Sequence, residues 1–381
     1  MKISVITTHT SLNYGAALQT YATQAVLEKL GHTVEFVDYW RSNSREEGMV
    51  DKLLQKPPFS RLQGICSINA FTRKLVRAPL CVLVRIHRMR VTMPRFLRER
   101  VHFTQRRYES FEELLSDPPL ADVYMTGSDQ VWNSIWNDGI EKPYFLEYAP
   151  PDKPRVAFAS SIGREALDER EMVAMREFLQ KYRAISMREQ SGVALLKQMG
   201  IESQLVPDPT LMLCADAWRV LAKPIPASKP YLLVYQLNAN PQLDTYALAL
   251  AKAHGLEMIR IRYRIGLRHR YGRSLLCPSV EEVLGGFFGA ALVLTDSFHA
   301  TAFSLNLNKP FISVLPNRFG TRIESICALT GTENRILRDF SDFAIADQPI
   351  DTARVQAVLH AEREKGYRFL REALCAQGEK Q

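Results

Sequence analysis

The chain has 381 residues, 46% hydrophobic and 24% charged, with 49 Lys and Arg against 41 Asp and Glu for a formal net charge of +8. This usage excludes a disordered or collagen-like chain, and the length suits two domains of about 100–200 residues each. Six scattered cysteines exclude a disulfide framework or zinc ribbon, no apolar run reaches the roughly 18 residues of a membrane helix, and the basic excess favours anionic partners.

Residues 3–7 read as a strand, 9–15 as a polar loop, 16–30 as a helix stopped by Gly31, and 34–38 as a second strand. That is a βαβ unit, whose first loop lies where open α/β sheets bind ligands. The polar-interrupted opening is no signal-peptide core, so a reducing cytoplasm is the expected compartment. Residues 41–118 read as a basic, largely helical insertion around Pro57 and Pro58. Residues 78–84 are its most apolar run, ended by Arg85, Arg88 and Arg90.

Strand patterns resume at 122–126, 155–159, 184–187 and 204–206. Two prolines and no periodicity in residues 222–229 mark 223–230 as a linker. The βαβ pattern then restarts with a strand at 231–236, a helix at 243–254 and a strand at 257–262, followed by buried strands at 291–294 and 311–314. An amphipathic helix closes the chain. The expected organisation is an α/β domain over 1–222, the linker, a second α/β domain over 231–349, and a C-terminal helix over 350–381 packing back. The fold class is α/β, with two Rossmann-like domains facing across a cleft in the glycosyltransferase-B manner.

The polar loops after these strands carry the candidate chemistry. In Asn13-Tyr14-Gly15, the glycine permits close backbone approach and the helix start offers N–H groups to an anion; a tight turn capped by Asn13 explains the same residues. Ser128, Asp129 and Trp132 suit a hydroxyl-rich ligand, with the indole as an apolar wall, or else a helix cap and a core tryptophan. Arg188, between a strand and a helix, can grip a phosphate or carboxylate, or pair with Glu189 on a helix surface. Asp208, between Pro207 and Pro209, reads as structural.

Asp296, Ser297 and His299 follow the strand at 291–294. A histidine at a helix start, where positive potential lowers its pKa, suits a proton donor or phosphate ligand; backbone satisfaction is the other reading. Arg318 and Arg322 either complete an anion site or are solvated. Eight arginines between Arg85 and Arg107 face one acid, Glu99, with apolar residues interleaved, which fits an anionic membrane surface or a solvated helix face. HEXXH, P-loop and GxSxG motifs do not occur, no metal site is expected, and no nucleic-acid module accompanies the arginines.

Together, NYGAALQTYA, TGSDQVWN, SMREQSG, VPDPTLML and TDSFHATAFSLNLNKPF resemble the polysaccharide pyruvyl transferase family, in the family's order over about residues 1–335. The resemblance implies a glycosyltransferase-B-like fold and transfer of the enolpyruvyl unit of phosphoenolpyruvate onto two hydroxyls of a sugar. The product would be a ketal on a cell-surface polysaccharide or its lipid-linked precursor, with release of phosphate. It implies that Arg188 and His299 hold phosphoenolpyruvate, with a further cation from Arg318 or Arg322, and no cofactor. The expected partners are phosphoenolpyruvate and a sugar acceptor, with peripheral contact at the inner membrane face. Two alternatives stand beside it: a nucleotide-sugar glycosyltransferase of the same architecture, and a non-catalytic glycan- or membrane-binding protein.

Overall fold

The computed structural model describes residues 1–55, 59–66, 68–90, 92–262, 271–316 and 320–375. The amino half is built on β1 (Lys2–Ile6), β2 (Thr33–Tyr39), β3 (Phe103–Tyr108), β4 (Val123–Thr126), β5 (Arg155–Ser160), β6 (Ala184–Met187) and β7 (Gln204–Leu205). They form one sheet of order β3-β2-β1-β4-β5-β6-β7, with every pairing parallel. Its inner strands are buried along their length, because helices cover both faces; hence they read as unbroken apolar or small-residue runs.

The carboxyl half repeats the plan with β8 (Tyr231–Tyr235), β9 (Glu257–Arg262), β10 (Arg273–Leu276), β11 (Leu292–Thr295), β12 (Phe311–Val314) and β13 (Ile336–Leu337). The order is β10-β9-β8-β11-β12-β13, again all parallel. In both sheets the chain reverses direction across the sheet beside its first strand, at β1/β4 and at β8/β11. The crevice at such a switch point is where doubly wound sheets place ligands.

Helix ends follow local chemistry. Asn13 caps the helix Tyr14–Lys29 by accepting from the Gly15 N–H. Capping boxes Asp168/Glu171 and Ser279/Glu282 start the helices Glu169–Leu179 and Val280–Gly289. The helix Thr352–Leu374 returns to the amino half, stacking Phe369 on Phe158 (centroids 6.5 Å apart) while Arg363 donates to the Leu211 carbonyl (2.7 Å). The segment after residue 222 is packed: Lys223 donates to the Glu281 carbonyl, and a Cβ on Gly285 would lie 1.7 Å from the Lys223 oxygen.

The expectation for residues 41–118 needs correction. The helices Glu46–Leu54, Ala70–Arg90 and Met93–Arg100 are present, but β3 follows them and joins the sheet. Arg106 and Arg107 therefore lie on a strand. As an edge strand it buries only its ends, and its exposed middle carries charge, so hydrophobic alternation does not reveal it. Among the described residues, no helix is long and apolar enough to cross a membrane.

Candidate functional site

Both switch points open toward one another, and their loops bring a charged cluster together. After β6, Arg188 has a fully buried side chain. Its Nη1 donates to Asp208 Oδ2 (2.6 Å), its Nη2 donates to Asp129 Oδ1 (3.0 Å), and its Nε lies 3.7 Å from Glu189 Oε2. Asp129 follows β4 with φ of 73°, a left-handed turn that aims its carboxylate inward, where Oδ2 accepts from Thr8 after β1 (2.8 Å). Glu189 is anchored through Oε1 by the N–H groups of Ile162 and Gly163.

His299 enters from the carboxyl half, in the first turn of the helix Phe298–Asn306, which Ser297 caps. Its Nε2 lies 3.7 Å from Asp208 Oδ2, so one carboxylate oxygen touches an arginine of one half and a histidine of the other. Gly15 makes room for the ring: a Cβ there would lie 2.2 Å from Nδ1. Arg322, in the helix Thr321–Thr330, has its guanidinium 5.5 Å from the Phe298 ring centroid, and Arg188 lies 5.2 Å from the same ring. His299 Nε2, Arg322 Nε, Arg188 Nε and Glu189 Oε2 are buried without a hydrogen-bond partner. Orphaned donors and acceptors converging in this way are the mark of a site for a polar ligand.

The electrostatics are coupled. Burial alone would raise the carboxyl pKa of Asp129 and Asp208; the Arg188 charge, with His299, overrides it and holds both below the ordinary range. For Arg188, burial is likewise overcome by Asp208 and Asp129. His299 goes the other way: burial drives it down to about 4, against the opposing pull of Asp208. Its low pKa thus has burial as its main cause, rather than the helix start. Burial, then repulsion from Arg188, lowers Arg322 to about 10.

The remaining expected residues divide. Ser128 is in the cluster, its hydroxyl directed at Asp208 (3.4 Å). Asp296 braces the adjoining loop by accepting from the Leu237 and Asn238 N–H groups, and Ser297 is a cap. Asn13 caps Gly15, so that N–H is taken and the space beside Gly15 belongs to His299, not to an anion. The buried Tyr14 donates to the Pro278 carbonyl across the two halves (2.6 Å). Trp132 is no wall of the cleft: it stacks on Phe145 (centroids 5.6 Å apart) and donates to the Tyr144 carbonyl, deep in the core. Arg318 lies outside the described residues.

Sequence reasoning missed Thr8, the buried place of Glu189, which it read as a surface partner of Arg188, and the second role of Asp208. An acid held rigidly between two prolines was the available signal for the last. Among the described residues, no group of three His, Cys, Asp or Glu is placed to hold a metal ion.

Solved structures share this architecture. The UDP-GlcNAc 2-epimerase from Methanocaldococcus jannaschii is 13% identical with a TM-score of 0.53, over 98% of this chain and 99% of that one. Another UDP-N-acetylglucosamine 2-epimerase is 12% identical with a TM-score of 0.51, over 98% and 95%. At such identities the likeness is one of fold, the glycosyltransferase-B arrangement of two parallel-sheet halves. No curated protein sequence matches the chain. Residues 13–318, which carry Gly15, Asp129, Arg188, Asp208 and His299, match the family described as polysaccharide pyruvyl transferase. The chain belongs to the polysaccharide pyruvyl transferase family.

Proposed function

We propose that the protein transfers the enolpyruvyl unit of phosphoenolpyruvate onto two hydroxyls of a sugar, forming a cyclic ketal and releasing phosphate. The observation that carries this reading is the shared contact of Asp208 with Arg188 and His299, beside the unpartnered Nε of Arg322. Phosphoenolpyruvate presents a phosphate and a carboxylate, and Arg322 is the arginine of the cluster that makes no ion pair among the described residues. Arg188 already serves two carboxylates, so its part is to keep Asp208 and Asp129 ionised and in place, completing the donor's electrostatic frame.

His299 is the proton donor in this reading. Neutral before the donor arrives, it gains a proton as the donor's negative charge enters beside it. The Nε2 proton then passes to the methylene carbon of phosphoenolpyruvate, leaving an oxocarbenium-like C2. A sugar hydroxyl attacks C2 and returns a proton to His299; the C2–O bond to phosphate breaks, with Arg322 balancing the charge of the leaving group, which takes up the proton of the second hydroxyl. The second hydroxyl closes the ketal. Turnover in D2O tests the sequence: one deuteron should enter the pyruvyl methyl group. A product whose transferred group carries no deuteron in that methyl would remove the protonation step.

Peripheral contact with an anionic membrane is part of the reading, on a helix that overlaps the expected stretch 85–107 at its carboxyl end. The helix Ala70–Arg90 leaves Phe71, Leu75, Val82, Leu83 and Ile86 exposed, with Arg73 and Lys74 exposed among them. An apolar stripe edged by cations fits the interface of an anionic bilayer.

A further inference from the structure

Beside the charged cluster, the amino half holds a cavity of about 460 Å³ for which the donor chemistry has no use. His9 and Asp38, at the carboxyl ends of β1 and β2, form its floor, and the helix Met93–Arg100 forms a wall. Thr8 precedes His9 in the chain and donates to Asp129, which binds Arg188. The cavity therefore adjoins the cluster through neighbouring residues of one loop.

Two features of its lining point to a ligand. The first is an aromatic and polar floor. His9 Nε2 lies 3.1 Å from Asp38 Oδ1, and Trp40 Nε1 donates to the same oxygen (2.6 Å). Arg107 reaches Asp38 Oδ2 (3.3 Å) while lying 4.3 Å from the Trp40 ring centroid, and Phe103 packs on His9. Flat rings beside a fixed carboxylate suit a sugar, which offers apolar faces and hydroxyl edges. The second is charge. Arg85, Arg95, Arg98 and Arg107 line the cavity against only Asp38 and Glu46.

These cations are available to different degrees. Arg107 is committed to Asp38. Arg85 pairs with Glu46, and Arg95 with Glu99, in solvent-exposed bridges of the kind that exchange readily. Arg98 is exposed and has no ion pair or hydrogen bond among the described residues. A neutral sugar needs no such collar; a sugar esterified to phosphate or diphosphate does, since guanidinium forks bind phosphate oxygens in pairs.

Resting on the pyruvyl-transfer reading, we infer that this cavity seats the acceptor as a sugar phosphate, with the ring over His9, Asp38 and Trp40 and the phosphate on Arg98 and Arg95. The sugar hydroxyls would then face the Thr8–Asp129 side, toward the donor.

Titration calorimetry without phosphoenolpyruvate reads the cavity apart from turnover. The probes are inorganic pyrophosphate, a panel of hexose 1-phosphates, and the matching methyl hexosides. The phosphates should bind at least about tenfold more tightly than the methyl hexosides. Arg98→Ala should weaken them by about tenfold, Arg98→Lys by less, and Arg322→Ala not at all. A nucleoside-diphosphate hexose and a polyprenyl-diphosphate hexose in micelles form two further arms. Tighter binding of either, if lost in Arg98→Ala, supports the inference and names the carrier. Equal binding of methyl hexosides, failure of every phosphate to bind, or binding lost in Arg322→Ala and kept in Arg98→Ala would overturn it. Phosphoenolpyruvate titrated in parallel separates the two readings: if it fails to bind while sugar phosphates bind through Arg98, the donor reading fails and the cavity assignment stands.

Discussion

The imidazole of His299 rests on Gly15, two residues 284 positions apart in the 381-residue chain, so closely that a methyl group on Gly15 would lie 2.2 Å from Nδ1. The glycine at the first βα turn of the amino half is thereby explained by a histidine of the carboxyl half. Gly15→Ala must displace the ring from its present place beside Asp208. Displacement by an ångström at a reacting group lowers rates on the order of a hundredfold. We expect kcat to fall by about that factor in a protein that still unfolds cooperatively; an unchanged kcat would show that the ring position is immaterial.

Asp208 is the hinge of the cluster's charge. Asp208→Asn leaves Arg188 buried with one partner fewer and withdraws the charge that favours protonated His299. Breaking a buried pair from one side costs about 3–5 kcal/mol. Denaturant unfolding should show a loss of that size, whereas Asp208→Asn with wild-type stability would mean that the Arg188 contact contributes nothing.

The pH dependence of stability carries a signature of His299. Its folded pKa of about 4 lies below the ordinary histidine value of 6.5, so the unfolded chain binds the proton more readily. Stability from this group is complete above pH 6.5 and falls as pH drops toward 4, by about 3 kcal/mol in all. Asp129 and Asp208, depressed in the fold, add a further loss only below their ordinary carboxylate range. His299→Asn should flatten the profile between pH 6.5 and 4; a profile in that window identical to wild type would contradict the buried, neutral histidine.

Arrangement and site were legible in the sequence to different depths, for physical reasons. The buried central strands announced themselves as apolar runs, and β6, β9 and β12 fall where the pattern placed them. The strands that escaped notice, β3, β10 and β13, are all sheet edges. An edge strand pairs on one side only and needs fewer buried side chains, so Arg106 and Arg107 hide β3, and β13 is two residues long. Within the site, Arg188 stood out because it follows a strand directly, and His299 because it lies in the first turn of the helix after one. Thr8 did not, since its role depends on Asp129 far along the chain, and Glu189 was read only as a surface partner of Arg188 because its anchors at Ile162 and Gly163 are remote in sequence. Trp132 was misread because an aromatic beside a polar loop gives no sign of which way it faces.

The membrane contact has its own test on the helix Ala70–Arg90. Phe71→Asp with Leu75→Asp removes exposed apolar surface without touching the core, so thermal stability should hold. Flotation with anionic vesicles should be lost in this variant and weakened by salt. Equal recovery of wild type and variant with the vesicles would rule out this face as the contact.

The central claim is that Arg322 and His299 receive phosphoenolpyruvate, and thermal unfolding in its presence tests it most directly. At a hundredfold excess over Kd, a ligand of the folded state adds about 2.7 kcal/mol of stability. The account predicts that phosphoenolpyruvate raises the Tm of the wild-type protein and uridine diphosphate does not. It further predicts that Arg322→Ala, relieved of a half-buried cation whose Nε has no hydrogen-bond partner, is at least as stable alone but gains nothing from phosphoenolpyruvate. Stabilisation by uridine diphosphate with none from phosphoenolpyruvate, or a full phosphoenolpyruvate response in Arg322→Ala, would contradict it.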